Sequence, residues 1–106
     1  MNQKIRISDH DLAIIKEAFK KHFSNKDHLW LFGSRAVPTR KGGDLDFYIE
    51  TIEPNLEIAY KQKTYFIIEL QDKLGDQKID VVLNVISSNY EIPIYKIAKQ
   101  TGVNLL

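Results

Sequence analysis

Three observations on this sequence predict an α/β (α+β) fold, a small mixed β-sheet flanked by helices. Short apolar or alternating runs of strand length recur at 28–32, 44–50 and 78–84. Stretches with helical spacing and recognisable caps separate or flank them. The link between the first two runs is short, whereas a long helical stretch joins the second to the third. A short link favours antiparallel neighbours, and a helical crossover favours parallel ones.

Each element follows from its residues. Ser8 is a helix cap with an acidic residue, Asp11, at the capping-box position. Leu12, Ile15, Phe19 and Phe23 then form one apolar stripe. Residues 28–32 make the first strand. A short helix is expected over 34–41, starting near Ser34 and limited by Pro38. The second strand, 44–50, alternates as a half-buried strand does. Pro54-Asn55 marks a turn, and a helix then runs to about Leu74 with Phe66, Ile67, Leu70 and Leu74 on its buried side and Gly75 as its stop. In the third strand Ile79, Val81 and Leu83 take one face, and Asp80 and Val82 the other. Pro93 suits a first helical turn, with Ile94, Ile97 and Ala98 facing inward and Gly102 ending the helix. Val103 to Leu106 is expected as a short edge strand or a docked tail.

Composition sets limits. The 106 residues support one domain, 1–106, and 43% hydrophobic with 27% charged residues is ordinary for a globular chain. No apolar run approaches the roughly 18–20 residues of a membrane span, so no membrane partner is expected. The first residues lack the apolar core of a signal peptide. The absence of cysteine excludes disulfides and thiol chemistry and fits a cytoplasmic protein. A net charge of +1 argues against non-specific binding to duplex nucleic acid.

The chemistry concentrates in 31–46. Asp44 and Asp46, two apart on a strand, share a face and repel unless a cation or donor sits between them. A hard divalent ion fits, since Mg²⁺ uses one or two carboxylates plus substrate phosphate oxygens. Upstream, the apolar strand stops at Gly33-Ser34, where the backbone can approach a ligand and the serine offers N–H and hydroxyl donors. Asp80, set in an apolar strand, needs a partner to offset its desolvation. Parallel second and third strands bring Asp44, Asp46 and Asp80 to one sheet edge, and an antiparallel first strand delivers Gly33 and Ser34 there. Such a site could hold two Mg²⁺ ions about 3.5–4 Å apart.

Taken singly, these features have plainer readings: a strand-ending turn, an acidic edge pair, a structural aspartate. Arg35 is either a phosphate contact or a structural pair with a nearby carboxylate or carbonyl. Arg40 and Lys41 read as a solvated loop face, and Gly42-Gly43 as a hinge. His10, His22 and His28 lack metal-ligand spacing. Trp30 reads as core. Tyr60, Tyr65, Tyr90 and Tyr95 read as amphipathic surface or interface residues.

Gly33-Ser34, nine intervening residues, Asp44-x-Asp46 and the later Asp80 together resemble the signature of the DNA polymerase β-like nucleotidyltransferase superfamily. The chain's length is similar to that of the minimal nucleotidyltransferases, including antitoxin components paired with HEPN-domain proteins. Two departures stand out. The gap before the first aspartate is one residue shorter than in many minimal members, and Gly43 stands where many carry serine. The resemblance implies a polymerase β-like core and transfer of a nucleoside monophosphate, AMP from ATP, onto a hydroxyl of a partner protein. Asp44 and Asp46 would hold two Mg²⁺ (or Mn²⁺) ions, and Asp80 would complete the site of one and serve as candidate general base. Gly33, Ser34 and Arg35 would bind the nucleotide. The partner implied is a small helical HEPN-type toxin. The alternative is a non-catalytic antitoxin or subunit that occludes such a partner.

Overall fold

The computed structural model describes residues 5–37, 43–75 and 77–106. In chain order the elements are α1 (Asp9–His22), β1 (His28–Phe32), a 3₁₀ turn (Gly33–Ala36), β2 (Leu45–Thr51), α2 (Leu56–Leu74), β3 (Ile79–Val85), a second 3₁₀ turn (Ile86–Ser88), α3 (Pro93–Thr101) and β4 (Val103–Asn104). The four strands form one mixed sheet in the order β3-β2-β1-β4. The short β1–β2 link yields an antiparallel pair, and the α2 crossover makes β2 and β3 parallel. The C-terminal segment supplies β4, an edge strand antiparallel to β1.

Local chemistry sets the helix ends. The Ser8 side chain accepts the Asp11 N–H at 3.1 Å, and the Asn55 side chain accepts the Ile58 N–H at 3.0 Å, so each helix has a side-chain partner for an orphan donor. Gly75 and Gly102 follow the last turns of α2 and α3. Among the described residues, no helix is long and apolar enough to cross a membrane.

The sheet has two unlike faces. Odd-numbered positions, Leu29, Leu31, Phe47, Ile49, Val81 and Leu83, pack with Ile15, Phe19, Phe66 and Leu70 of α1 and α2 into the main core. Phe66 sits edge-on to Phe19, Phe23 and Phe47 at 6.0, 6.0 and 5.8 Å between ring centres, a favourable aromatic geometry. Even-numbered Trp30 and Tyr48 form a smaller cluster with Ala98 of α3. Trp30 is thus a core residue, as its strand position predicts.

Three expectations need adjustment. Ile97 is exposed, not inward-facing. The α3 stripe that meets the sheet runs through Tyr95 and Ala98, and Ile97 lies about 100° round the helix from Ala98. The ladder begins at Leu45, so Asp44 stands just ahead of β2. The 3₁₀ turn ends at Ala36 with Val37 already extended, and residues 38–41 of the expected helix, with Pro38, Arg40 and Lys41, lie outside the described residues, as does Gly42.

Candidate active site

The turn after β1 and the mouths of β2 and β3 meet at one sheet end. Phe32 pairs with Asp46, and Asp46 pairs with Asp80 across the parallel ladder. Side chains at matched parallel positions share a face, so Asp46 and Asp80 stand side by side. Their environments differ. Asp46 is half-buried on the central β2, whereas Asp80 is exposed on the edge strand β3. The desolvation that sequence assigns to Asp80 therefore falls on Asp46. Burial pushes the Asp46 carboxyl above its ordinary range. The neighbouring Asp80 and Asp44 charges and a hydrogen bond with Asp80 push the same way, and Lys78 weakly opposes them. Asp44 is engaged elsewhere, with Lys78 Nζ 3.8 Å from its Oδ2.

Gly33 has φ +75°, and a side chain there would collide with the Asp46 carboxylate. Glycine is thus required twice over, by the left-handed turn and by the close approach of that carboxylate. Gly43, at φ +106°, leaves no room for a side chain against the Ser34 hydroxyl. The positive φ favours glycine at this position, and a side chain there would oblige the Ser34 hydroxyl to rotate away.

Arg35 and Arg6 bind each other's segments. Arg6 N–H donates to the Arg35 carbonyl at 2.8 Å, and Arg6 Nη2 donates to the Ser34 carbonyl at 3.3 Å. In return Arg35 Nη1 donates to the Arg6 carbonyl at 3.1 Å, and its Nη2 donates to Gln77 Oε1 at 3.1 Å. The Arg35 head thus fastens the turn to the residues leading into β3. Sequence reading leaves Arg35 open between a phosphate contact and a structural pair, and these bonds supply the second.

A cavity of about 640 Å³ lies on the same sheet face, lined in part by Tyr48, Glu50, Asn84, Tyr90 and Tyr95. The Tyr48 hydroxyl donates to Glu50 Oε2 at 2.8 Å and accepts from Asn84 Nδ2 at 3.0 Å. Burial holds the phenol pKa well above its ordinary value; the Asn84 bond opposes that shift and Glu50 adds to it. Lys99 Nζ pairs with Glu50 Oε2 at 3.1 Å. Sequence reading overlooked these residues, although a period of two from Asp46 leads to Tyr48 and Glu50, and from Asp80 to Asn84.

The donor set suits a hard cation in part. Asp46 and Asp80 offer adjacent oxygens whose mutual repulsion a divalent ion would relieve. Among the described residues, no three acidic or histidine side chains stand in metal-binding arrangement, consistent with Asp44 turning to Lys78.

A glycine turn abutting strand carboxylates on a small mixed sheet defines a polymerase β-like nucleotidyltransferase core. The chain matches the nucleotidyltransferase domain family over residues 12–103, and it belongs to that family. No curated protein compared with the chain matches it.

Proposed function

We propose that this chain is a minimal nucleotidyltransferase, a single domain over 1–106 working in the cytoplasm. It moves AMP from ATP onto a hydroxyl of a partner protein. The observation that carries this reading is the Asp46–Asp80 pairing beside the Gly33–Ser34 turn. Asp46 and Asp80 are the primary holders of Mg²⁺ or Mn²⁺, and Asp44 joins them on leaving Lys78 to complete a two-ion site. When bound, the metal supplies charge neutralisation at the transferred phosphoryl group and acidifies the acceptor. The Gly33 N–H and the Ser34 N–H and hydroxyl hold the β and γ phosphates. Arg35 keeps that turn in place, with contact to nucleotide phosphate its second role. Asp80, exposed on the edge strand, accepts the proton of the attacking hydroxyl. The acceptor oxygen bonds to the α-phosphorus, the α–β bridging P–O bond breaks, and pyrophosphate leaves with the electron pair.

The partner we favour is a helical HEPN-type toxin, for which this chain is the antitoxin. Exposed Leu56, Ile58, Tyr60, Tyr65 and Ile68 on α2 support a protein partner. They also support the second reading, in which the chain neutralises its partner by occlusion without catalysis. Mass spectrometry of the partner co-expressed with wild type or with Asp46→Asn separates the two. Transfer predicts an AMP adduct that the variant abolishes. An unmodified partner that is still neutralised by the variant would establish occlusion.

A further inference from the structure

Among the described residues, the sheet order leaves one side of β3 without a neighbouring strand. The ladder decides which main-chain groups point that way. Leu45 N–H donates to the Lys78 carbonyl at 3.0 Å, and Leu45 is in register with Ile79. Along a parallel strand, residues alternate between turning both groups toward the partner and turning both away. Lys78, Asp80, Val82 and Asn84 therefore face β2, and Ile79, Val81, Leu83 and Val85 direct N–H and C=O outward. Two side-chain bonds agree: the Tyr95 hydroxyl donates to the Leu83 carbonyl at 3.3 Å, and the Ser88 hydroxyl donates to the Val85 carbonyl at 2.7 Å.

Those same bonds close the far end of the edge. At the near end, the Gln77 N–H is taken by the Gly75 carbonyl at 2.8 Å. Between these limits the outward groups of Ile79 and Val81 have no partner among the described residues. Ile79 and Val81 keep 7% and 8% exposure, against 1% and 0% for their register partners Leu45 and Phe47 on β2. The difference fits an uncovered edge on β3. Alternating donors and acceptors at strand spacing are matched by the main chain of an extended peptide. The open stretch is short and centred on Asp80, so it also fixes the register of whatever binds.

We propose that the acceptor is an extended polypeptide segment that adds antiparallel to the outer edge of β3, with a Ser, Thr or Tyr side chain opposite Asp80. This deepens the nucleotidyl-transfer reading and rests on it. Because the Asp80 main chain turns inward, the residue opposite forms the non-hydrogen-bonded kind of pair, with Cα atoms about 4.5 Å apart and side chains close together. Its hydroxyl stands on the same face as Asp80 and Asp46. Edge pairing thus delivers the acceptor oxygen to the carboxylates through main-chain bonds and requires no separate acceptor-binding domain. The oxygen attacks the α-phosphorus of the triphosphate, its proton passes to Asp80, and pyrophosphate departs with the bond's electrons.

The test uses the whole chain and a pool of short peptides randomised around a central Ser, Thr or Tyr. Amide hydrogen exchange read by NMR reports edge pairing independently of catalysis. The pool should slow exchange at Ile79 and Val81 and leave Asp80 and Val82 unchanged. Labelling with Mg·ATP should then appear on the central hydroxyl. N-methylation of a labelled peptide at the two residues flanking the hydroxyl should abolish labelling, because those amides face β3, whereas N-methylation at the central residue should leave it. Val81→Pro removes an outward N–H that no ladder bond uses and should cut labelling at least tenfold while keeping the thermal shift given by Mg·ATP. If that variant fails to fold, the N-methyl pattern decides alone. Unprotected Ile79 and Val81, labelling indifferent to alternate N-methylation, or protection that grows with protein concentration without peptide would each overturn the proposal. Intact edge protection with no Mg·ATP response would instead overturn the nucleotidyl-transfer reading.

Discussion

Two acidic centres in this molecule are built in opposite ways. At the α1–α2 contact one carboxylate, Glu69, is surrounded by three basic groups: His22 Nε2 and Lys73 Nζ, each at 2.8 Å, and Lys21 Nζ at 3.5 Å. The Lys73 bond first, then the His22 bond, lower its pKa to about 2. At the mouths of β2 and β3 Asp44 pairs with Lys78, and the Asp46 pKa is raised by burial and by the Asp80 and Asp44 charges. The first centre satisfies its charge within the fold. Among the described residues, the second leaves Asp46 and Asp80 without an ion-pair partner beside the glycine turn, which is what a cation- and phosphate-binding site requires. On the proposed function, stability resides in one and catalysis in the other.

The largest expected effect tests that division at the chemistry. Asp46→Asn or Asp80→Asn should lower nucleotidyl transfer on the order of 10³-fold, the scale on which loss of a charge-stabilising group affects a transition state. Glu69→Gln should leave transfer within about twofold. Transfer rates on the co-purified acceptor measure both, and comparable losses would erase the distinction between the centres.

How much of this could be read from the sequence depends on what each feature needs. Strand alternation and the α2 crossover are local or topological, so the mixed sheet, its parallel pair and its antiparallel pair followed directly from them. The meeting of Gly33 with Asp46 followed from connectivity as well. What pairs across the fold through side chains did not. The Arg6–Arg35 exchange joins residues 29 apart and the His22–Glu69 bond residues 47 apart, and neither leaves a periodic trace. Burial falls on Asp46 rather than Asp80 because β2 lies between β1 and β3 while β3 lies at the sheet edge, a consequence of both pairings together that the apolar run around Asp80 does not show. Arg40 and Lys41 lie outside the described residues.

The next effect probes the turn. Gly33→Ala should cost stability by at least about 1–2 kcal/mol from the left-handed backbone alone, and its Cβ would also press on the Asp46 carboxylate. Nucleotide-dependent thermal shifts should vanish with it. In the double variant with Asp46→Ala the costs should be less than additive, because the Cβ then meets no carboxylate. Strict additivity in thermal unfolding would show that the turn and the carboxylate act separately.

Smaller again is the contribution of Glu69. Replacing it by Gln should lower stability by about 1 kcal/mol at neutral pH, the upper part of the range for partly exposed ion pairs, and less in high salt. The sign of the pH dependence follows from its lowered pKa. Its stabilisation is present above the ordinary carboxylate value and is lost as pH falls toward about 2. Wild type and variant should therefore converge between roughly pH 4.5 and pH 2. A gap that persists at the acid end would assign the effect to packing.

The smallest effect should run the other way. Asp46 has a raised pKa, so its ionisation opposes folding in the metal-free protein: the penalty is absent below the ordinary aspartate value and appears as pH rises through the raised one. Metal-free Asp46→Asn should consequently be slightly more stable than wild type at neutral pH, by on the order of a degree or two in melting temperature. That advantage should shrink on acidification, as the wild-type carboxyl takes up its proton. Adding Mg²⁺ with ATP should reverse the ranking, because ligand binding to the native state stabilises wild type by mass action and the variant lacks the site. Differential scanning fluorimetry across pH, with and without Mg·ATP, reads all three parts. If Asp46→Asn were destabilising without metal, Asp46 would be holding the fold together as Glu69 does, and the opposition between the two centres would fail at its most specific point.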